Sequence, residues 1–152
     1  MANTYTQCYV HLVFSPKNRD ALINKTWKDE LEKYITGIIR IRKHKLLAIG
    51  SMPDHIHILI GYNVNDLIPY LVEEIKTSTN TWIKEKRLSK FKFDWQQGYG
   101  AFTHSRMQID TVIKYILNQE QHHQKESFKI EYLDILAKNG IEYKDDYLFD
   151  FF

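Results

Sequence analysis

The sequence predicts an α+β fold, a ferredoxin-like, split β-α-β antiparallel sheet with helices packed on one face. Three observations predict it. Residues 5–14 and 55–60 alternate with the period of a strand, and both are rich in β-branched and aromatic side chains. Apolar residues recur at helical spacing over residues 25–43 and again over residues 65–88. Finally, Pro53-Asp54 stands between two strand-like runs and reads as the turn of a hairpin. The resulting order of strand, helix, strand, strand, helix begins a split β-α-β arrangement.

In the first strand, Tyr5, Gln7, Tyr9, His11 and Val13 share a face, and the polar stretch from Ser15 to Asp20 ends it. Leu31, Tyr34, Ile35, Ile38, Ile39 and Ile41 form the apolar stripe of the first helix. Residues 45–52 supply the second strand. The third alternates faces, so His55 and His57 point one way, about 7 Å apart, while Ile56, Ile58 and Ile60 point the other and can bury against a helix layer. In the second helix, Asn65 or Asp66 is the expected N-cap, and Leu67, Tyr70, Leu71, Ile75, Trp82 and Ile83 are the stripe. A fourth strand is expected over residues 99–104, entered through Gly98-Tyr99-Gly100, whose glycines allow a bend or a bulge. Residues 109–124 read as a third helix, with Ile109, Val112, Ile113, Ile116 and Leu117 on its apolar arc.

With 152 residues and 43% hydrophobic content, the chain can bury one sizeable core, so residues 1–152 are expected to form a single domain. Neither a repeat nor a linker divides it. A single cysteine, Cys8, excludes an internal disulfide and a thiolate cluster and fits a reducing cytoplasm. No leader of a charged segment and an apolar run is visible, and no stretch approaches the roughly 20 apolar residues that span a bilayer. A soluble, cytoplasmic protein away from membranes is therefore expected.

The net charge of +2 conceals an asymmetry. Residues 1–125 carry 18 Lys and Arg against 12 Asp and Glu, whereas residues 126–152 carry 3 against 7 and form an acidic, aromatic tail. The basic residues cluster at Lys17 and Arg19, at Arg40, Arg42, Lys43 and Lys45, and from Lys84 to Lys92. Each cluster alone suits a solvated face, but three interleaved with aromatics point to a phosphate backbone. Lys17 and Arg19, which follow the first strand, are the candidates for phosphate contact.

Alone, a His-x-His pair on a strand is half of a metal site or two satisfied polar residues. The third helix supplies the rest. Tyr115, Gln119 and His122 lie along the border of its apolar arc, with Tyr115 and Gln119 neighbours four residues apart. If that border faces the two histidines, a phenolic nucleophile, two imidazole ligands and an amide oxygen share a cleft. Phosphodiester cleavage needs such a set. A divalent cation can polarise the scissile phosphate and help ionise a phenol whose ordinary pKa is about 10. Attack by Tyr115 then conserves the phosphodiester bond as a phosphotyrosine.

These residues carry a resemblance. The segments Met52-Pro53-Asp54-His55-Ile56-His57-Ile58-Leu59-Ile60, Trp95-Gln96-Gln97-Gly98-Tyr99-Gly100-Ala101-Phe102 and Tyr115-Ile116-Leu117-Asn118-Gln119-Glu120-Gln121-His122-His123 resemble the single-tyrosine HUH transposases of small bacterial insertion sequences. The likeness runs from His11-Leu12-Val13-Phe14 to the region of Gly140-Ile141 and Tyr147. It implies that Tyr115, on a catalytic helix near the C-terminus, is the nucleophile forming a 5′-phosphotyrosine. It further implies that His55, His57 and Gln119 are the ligands of magnesium or manganese. The implied substrate is single-stranded DNA beside hairpins at the ends of a mobile element, and the implied assembly is a homodimer.

Imidazole and amide ligands by themselves equally admit zinc. His122 and His123 remain open between a ligand, a phosphate contact and a complement to the helix dipole, and Asp54 reads as a turn residue. Two other functions compete. A domesticated protein that binds hairpin DNA without cutting would need none of His55, His57, Tyr115 and Gln119. A metal-independent phosphoesterase would need two His-x-Thr or His-x-Ser repeats, which the chain lacks.

Overall fold

The computed structural model describes residues 3–123 and 125–152, the side chain of His122 excepted. Its frame is a four-stranded antiparallel sheet in the order β2-β3-β1-β4, made of β1 (Tyr9–Phe14), β2 (Lys45–Met52), β3 (His55–Gly61) and β4 (Gly100–Thr103). Helices α1 (Lys28–Ile41) and α2 (Ile68–Glu85) make the two crossovers, so two β-α-β units interleave. This is the predicted fold class.

The hairpin closes as expected, with Met52 paired to His55 across Pro53-Asp54. A register shift between Leu46 and Ala48 inserts Leu47 and sets Ala48, Gly50 and Met52 opposite Leu59, His57 and His55. Those six residues share one face, and Ile56, Ile58 and Ile60 occupy the other.

Against the isoleucine face lie Leu31, Ile35, Ile38 and Ile39 of α1 and Leu71, Val72, Ile75 and Ile83 of α2. Between the two helices, Tyr34 and Trp82 stack with ring centroids 4.8 Å apart. Three residues assigned to the apolar stripes, Ile41, Leu67 and Tyr70, are exposed instead. Helix α2 starts at Ile68 with no side-chain cap, because Asp66 is otherwise engaged: it takes Arg42 and His44 as partners.

The remaining helices cross the opposite face. Ser105 and Gln108 form a capping box ahead of α3 (Ile109–Leu117), and Ile109 and Ile116 bury against Ala48 and Leu59. The expected continuous helix over 109–124 is interrupted at Asn118, and a short α4 (Gln119–His122) follows. Leu117, placed on the apolar arc by its spacing, is exposed beside this break.

The acidic tail contains a helix that charge and composition did not reveal. Helix α5 (Phe128–Lys138), capped by Ser127, lays Phe128 and Tyr132 towards His55 and Phe102. The chain then returns along the body, where Gln96 Nε2 donates to the carbonyl of Asp150 at 2.8 Å and Gln96 Oε1 accepts from its amide at 2.7 Å. Among the described residues, no helix is long and apolar enough to cross a membrane.

Candidate functional site

The turn before β3 and the period of that strand deliver His55 and His57 to the covered face, both fully buried. Their ring centroids are 5.1 Å apart and their planes almost perpendicular, at 84°. His55 Nε2 lies 3.3 Å from Glu131 Oε1 on α5, and His57 Nε2 lies 3.1 Å from the same oxygen. The donor atoms of His55, His57 and Glu131 all fall within 4.8 Å of one another. Two imidazoles and a carboxylate are a donor set for a divalent cation, so these three residues could hold a metal ion. Gln119 Oε1 borders the same space, 3.0 Å from His55 Nε2.

Tyr115, half-buried in the last turn of α3, donates its phenolic hydrogen to Glu131 Oε2. Its ring meets that of His57 edge-on, with centroids 5.8 Å apart. Although the helix breaks at Asn118, Gln119 stays beside Tyr115, because its Nε2 donates to the Tyr115 carbonyl at 3.2 Å. Thus Tyr115, His55, His57 and Gln119 come together within one chain.

The cluster has members that the motifs did not name. Glu131 is one. Its signal was present as a charged residue among Phe128, Tyr132 and Leu136 on one helical face, preceded by the cap Ser127. His123, left open by the sequence between a ligand, a phosphate contact and a dipole complement, also joins the cluster, with Nε2 lying 3.1 Å from Gln119 Oε1 and 3.2 Å from Glu131 Oε1. The side chain of His122 lies outside the described residues. Asp54 is more than a turn residue, since its Oδ1 lies 2.7 Å from His55 Nδ1 and orients that ring. His57 Nδ1 likewise has a partner, His11 Nε2 at 2.8 Å, and His11 Nδ1 in turn lies 3.2 Å from His104 Nε2.

Burial and neighbouring charge oppose each other here. Burial alone would favour a neutral Glu131, but the imidazoles of His123, His55 and His57 outweigh it and hold the carboxyl well below the usual range. Burial also works against a charged His55, yet Asp54 and Glu131 raise its pKa to about 9. His57 is governed by its burial, which takes it down to about 4, and burial similarly lowers His11. Burial and the Glu131 carboxylate together push the Tyr115 phenol far above its ordinary value and keep it protonated.

Lys17 and Arg19 stand apart from this cluster. Exposed Lys17 borders a surface cavity of about 1000 Å³ together with Lys76, residues 94–98 and the tail. The Arg19 guanidinium sits 5.6 Å from the centre of the Phe152 ring.

Solved structures that share the fold include two transposases. One, assigned as a transposase from Deinococcus radiodurans R1, is 22% identical with a TM-score of 0.60, the match covering 77% of this chain and 94% of that one. The other is a REP-associated tyrosine transposase bound to a REP hairpin, 17% identical with a TM-score of 0.61, covering 80% and 72% of the two chains. At these identities the likeness is one of fold. No curated protein sequence matches the chain. The profile of the family described as "Transposase IS200 like" matches residues 4–119, the whole sheet together with Tyr115 and Gln119, and the chain belongs to that family of transposases.

Proposed function

We propose that the protein cleaves and rejoins single-stranded DNA at hairpin-bearing element ends, through a 5′-phosphotyrosine on Tyr115. The observation that carries this reading is the convergence of Tyr115 on the His55, His57 and Glu131 group in a buried centre. Membership of a transposase family supports the substrate class, and the hairpin held by the REP-associated relative supports the form of the DNA.

His55, His57 and Glu131, with Gln119 beside them, would hold magnesium or manganese. Such a cation polarises the scissile phosphate and offsets the carboxylate charge that keeps the phenol protonated. The chain's own groups account for the other steps. Tyr115 Oη forms a bond to phosphorus as its proton passes to solvent, with Glu131 Oε2, its hydrogen-bond acceptor, holding the hydroxyl in place. The bond from phosphorus to the 3′-oxygen breaks, and that oxygen takes up a proton from solvent and leaves as a free 3′-hydroxyl. In the reverse sense, the 3′-hydroxyl of another strand attacks the phosphotyrosine, releases Tyr115 and restores a phosphodiester. Energy is therefore conserved without a nucleotide cofactor.

Lys17 and Arg19 serve in this reading as phosphate contacts on the incoming strand. The homodimer implied by the resemblance is retained, with Tyr115 acting beside the histidines of its own subunit.

The test uses labelled single-stranded DNA carrying a hairpin, incubated with the protein and Mn²⁺ and resolved on a denaturing gel. A covalent adduct is expected that disappears with EDTA and in Tyr115→Phe. His57→Ala should abolish cleavage while hairpin binding persists. An adduct retained by Tyr115→Phe overturns the assignment of the nucleophile. Tight hairpin binding with no adduct under any divalent ion favours a protein that binds DNA without cutting it.

A further inference from the structure

Metal ligands of the histidine type use one ring nitrogen on the ion and the other on a partner that fixes the ring's tautomer and angle. For His55 that partner is the Asp54 carboxylate. For His57 it is another imidazole, His11, on the neighbouring strand β1. The register explains the contact. His11 pairs with Leu59, so His57 is its diagonal neighbour on the same face, and on the other side His11 pairs with Phe102, two residues before His104. The three rings form a row, with centroids 5.0 Å apart between His11 and His57 and 5.4 Å between His11 and His104.

This row has a direction once His57 Nε2 is directed at a cation. His57 must then carry its hydrogen on Nδ1 and donate it to His11 Nε2. That nitrogen must keep a lone pair, so His11 carries its own hydrogen on Nδ1 and donates it to His104 Nε2. His11 is 3% exposed, and both of its ring nitrogens are taken by histidines. It is absent from the group of ligand atoms around Glu131.

We propose that His11 is a positioning residue of the metal centre, accepting from His57 Nδ1 so that His57 Nε2 faces the cation, with His104 holding His11 in the matching tautomer. The proposal rests on the metal reading given above. It assigns the two ligands unlike supports, a carboxylate behind His55 and a neutral imidazole behind His57. The second arrangement orients a ligand without adding a further negative charge to a centre that already contains Glu131.

The test is the affinity of the full chain for Mn²⁺ alone, followed by titration calorimetry and by the loss of the free-ion EPR signal. Melting temperature without metal is recorded in parallel. His11→Leu is expected to weaken Mn²⁺ binding by about 10- to 100-fold. His11→Gln, whose amide oxygen can accept from His57, should recover much of that loss, and His104→Ala should show a smaller loss in the same direction. A merely structural histidine would lower the metal-free melting temperature in both His11 variants and leave affinity unmoved. Wild-type affinity in His11→Leu, with binding lost in His57→Ala, overturns this proposal while leaving the metal reading intact. Absence of Mn²⁺ binding by the wild-type chain overturns both. If His11→Leu does not fold, His104→Ala decides, and unchanged affinity there overturns the proposal.

Discussion

The two faces of β3 are equally dry and chemically opposite. Ile56, Ile58 and Ile60 on one side and His55, His57 and Leu59 on the other are all fully buried. The isoleucines meet the apolar stripes of α1 and α2, where burial is stabilising at roughly 25 cal/mol per Å². The histidines meet Gln119, Glu131 and one another, where burial costs free energy unless every polar atom is partnered. Burial therefore does not separate scaffold from site in this molecule. What separates them is the kind of partner, and the polar face holds an assembly of charges that a stable fold alone would not require.

That contrast can be broken most forcefully from the apolar side. Ile58→Ala removes a fully buried side chain from the centre of the sheet and should cost about 2–5 kcal/mol of stability. Chemical denaturation would measure the loss. Because Ile58 points away from the histidines, Mn²⁺ affinity of the folded fraction should stay near that of the wild type. A large loss of affinity at full folding would show that the two faces are not separable.

The polar face can be disturbed without touching any of its polar groups. Gly50 lies opposite His57, and a Cβ there would stand 2.5 Å from the carbonyl oxygen of Ile116, one residue beyond Tyr115. Backbone is on both sides, so Gly50→Ala must push α3 away from β2. The expected stability cost of such overpacking is about 1–3 kcal/mol. The cleavage rate should fall further than affinity does, since a displacement of about 1 Å at a reacting group can cost 100-fold in rate. Single-turnover cleavage compared with Mn²⁺ titration would show the split; equal losses in both would mean that α3 does not set the position of the proposed nucleophile.

The sequence reveals most where a pattern is local. Strand alternation identified β3 and its paired histidines, and the Pro53-Asp54 turn identified the hairpin, because each depends on neighbours within a few residues. The four-residue spacing of Tyr115 and Gln119 survived even though the helix does not run through, since Asn118 still donates to the carbonyl of Lys114 as in a last helical turn. Features decided by packing at a distance were not legible. Glu131 gains its meaning only when α5 lies over the histidines, and read alone it was one acid in an acidic tail. The link between His57 and His11 depends on the register between β1 and β3, which alternation within either strand does not specify.

The smallest expected effect concerns a charge cluster that resembles the site in composition but lies at the other end of the sheet from the Pro53-Asp54 turn. Asp66 takes two hydrogen bonds from Arg42, at 2.8 and 2.6 Å, and lies 2.7 Å from His44 Nε2. The Arg42 guanidinium, aided by His44, holds the Asp66 carboxyl well below its ordinary range despite the opposing effect of burial. A carboxyl with a lowered folded-state pKa contributes stability fully above its unfolded value, about 3.9, and loses it as the pH falls through the folded value. Asp66→Asn should therefore destabilise the protein by about 1 kcal/mol at neutral pH, in keeping with a partly exposed pair. The gap to wild type should hold between about pH 5 and 8 and narrow below about pH 4. Mn²⁺ binding at neutral pH should not change, for Asp66 supports the loop between β3 and α2 and touches none of the candidate ligands. A gap that stayed constant into acid would mean that Asp66 acts through packing, whereas a gap closing on schedule would mark this cluster as electrostatic scaffold, in contrast to the histidine face, whose buried charges include the three groups that could hold a metal ion.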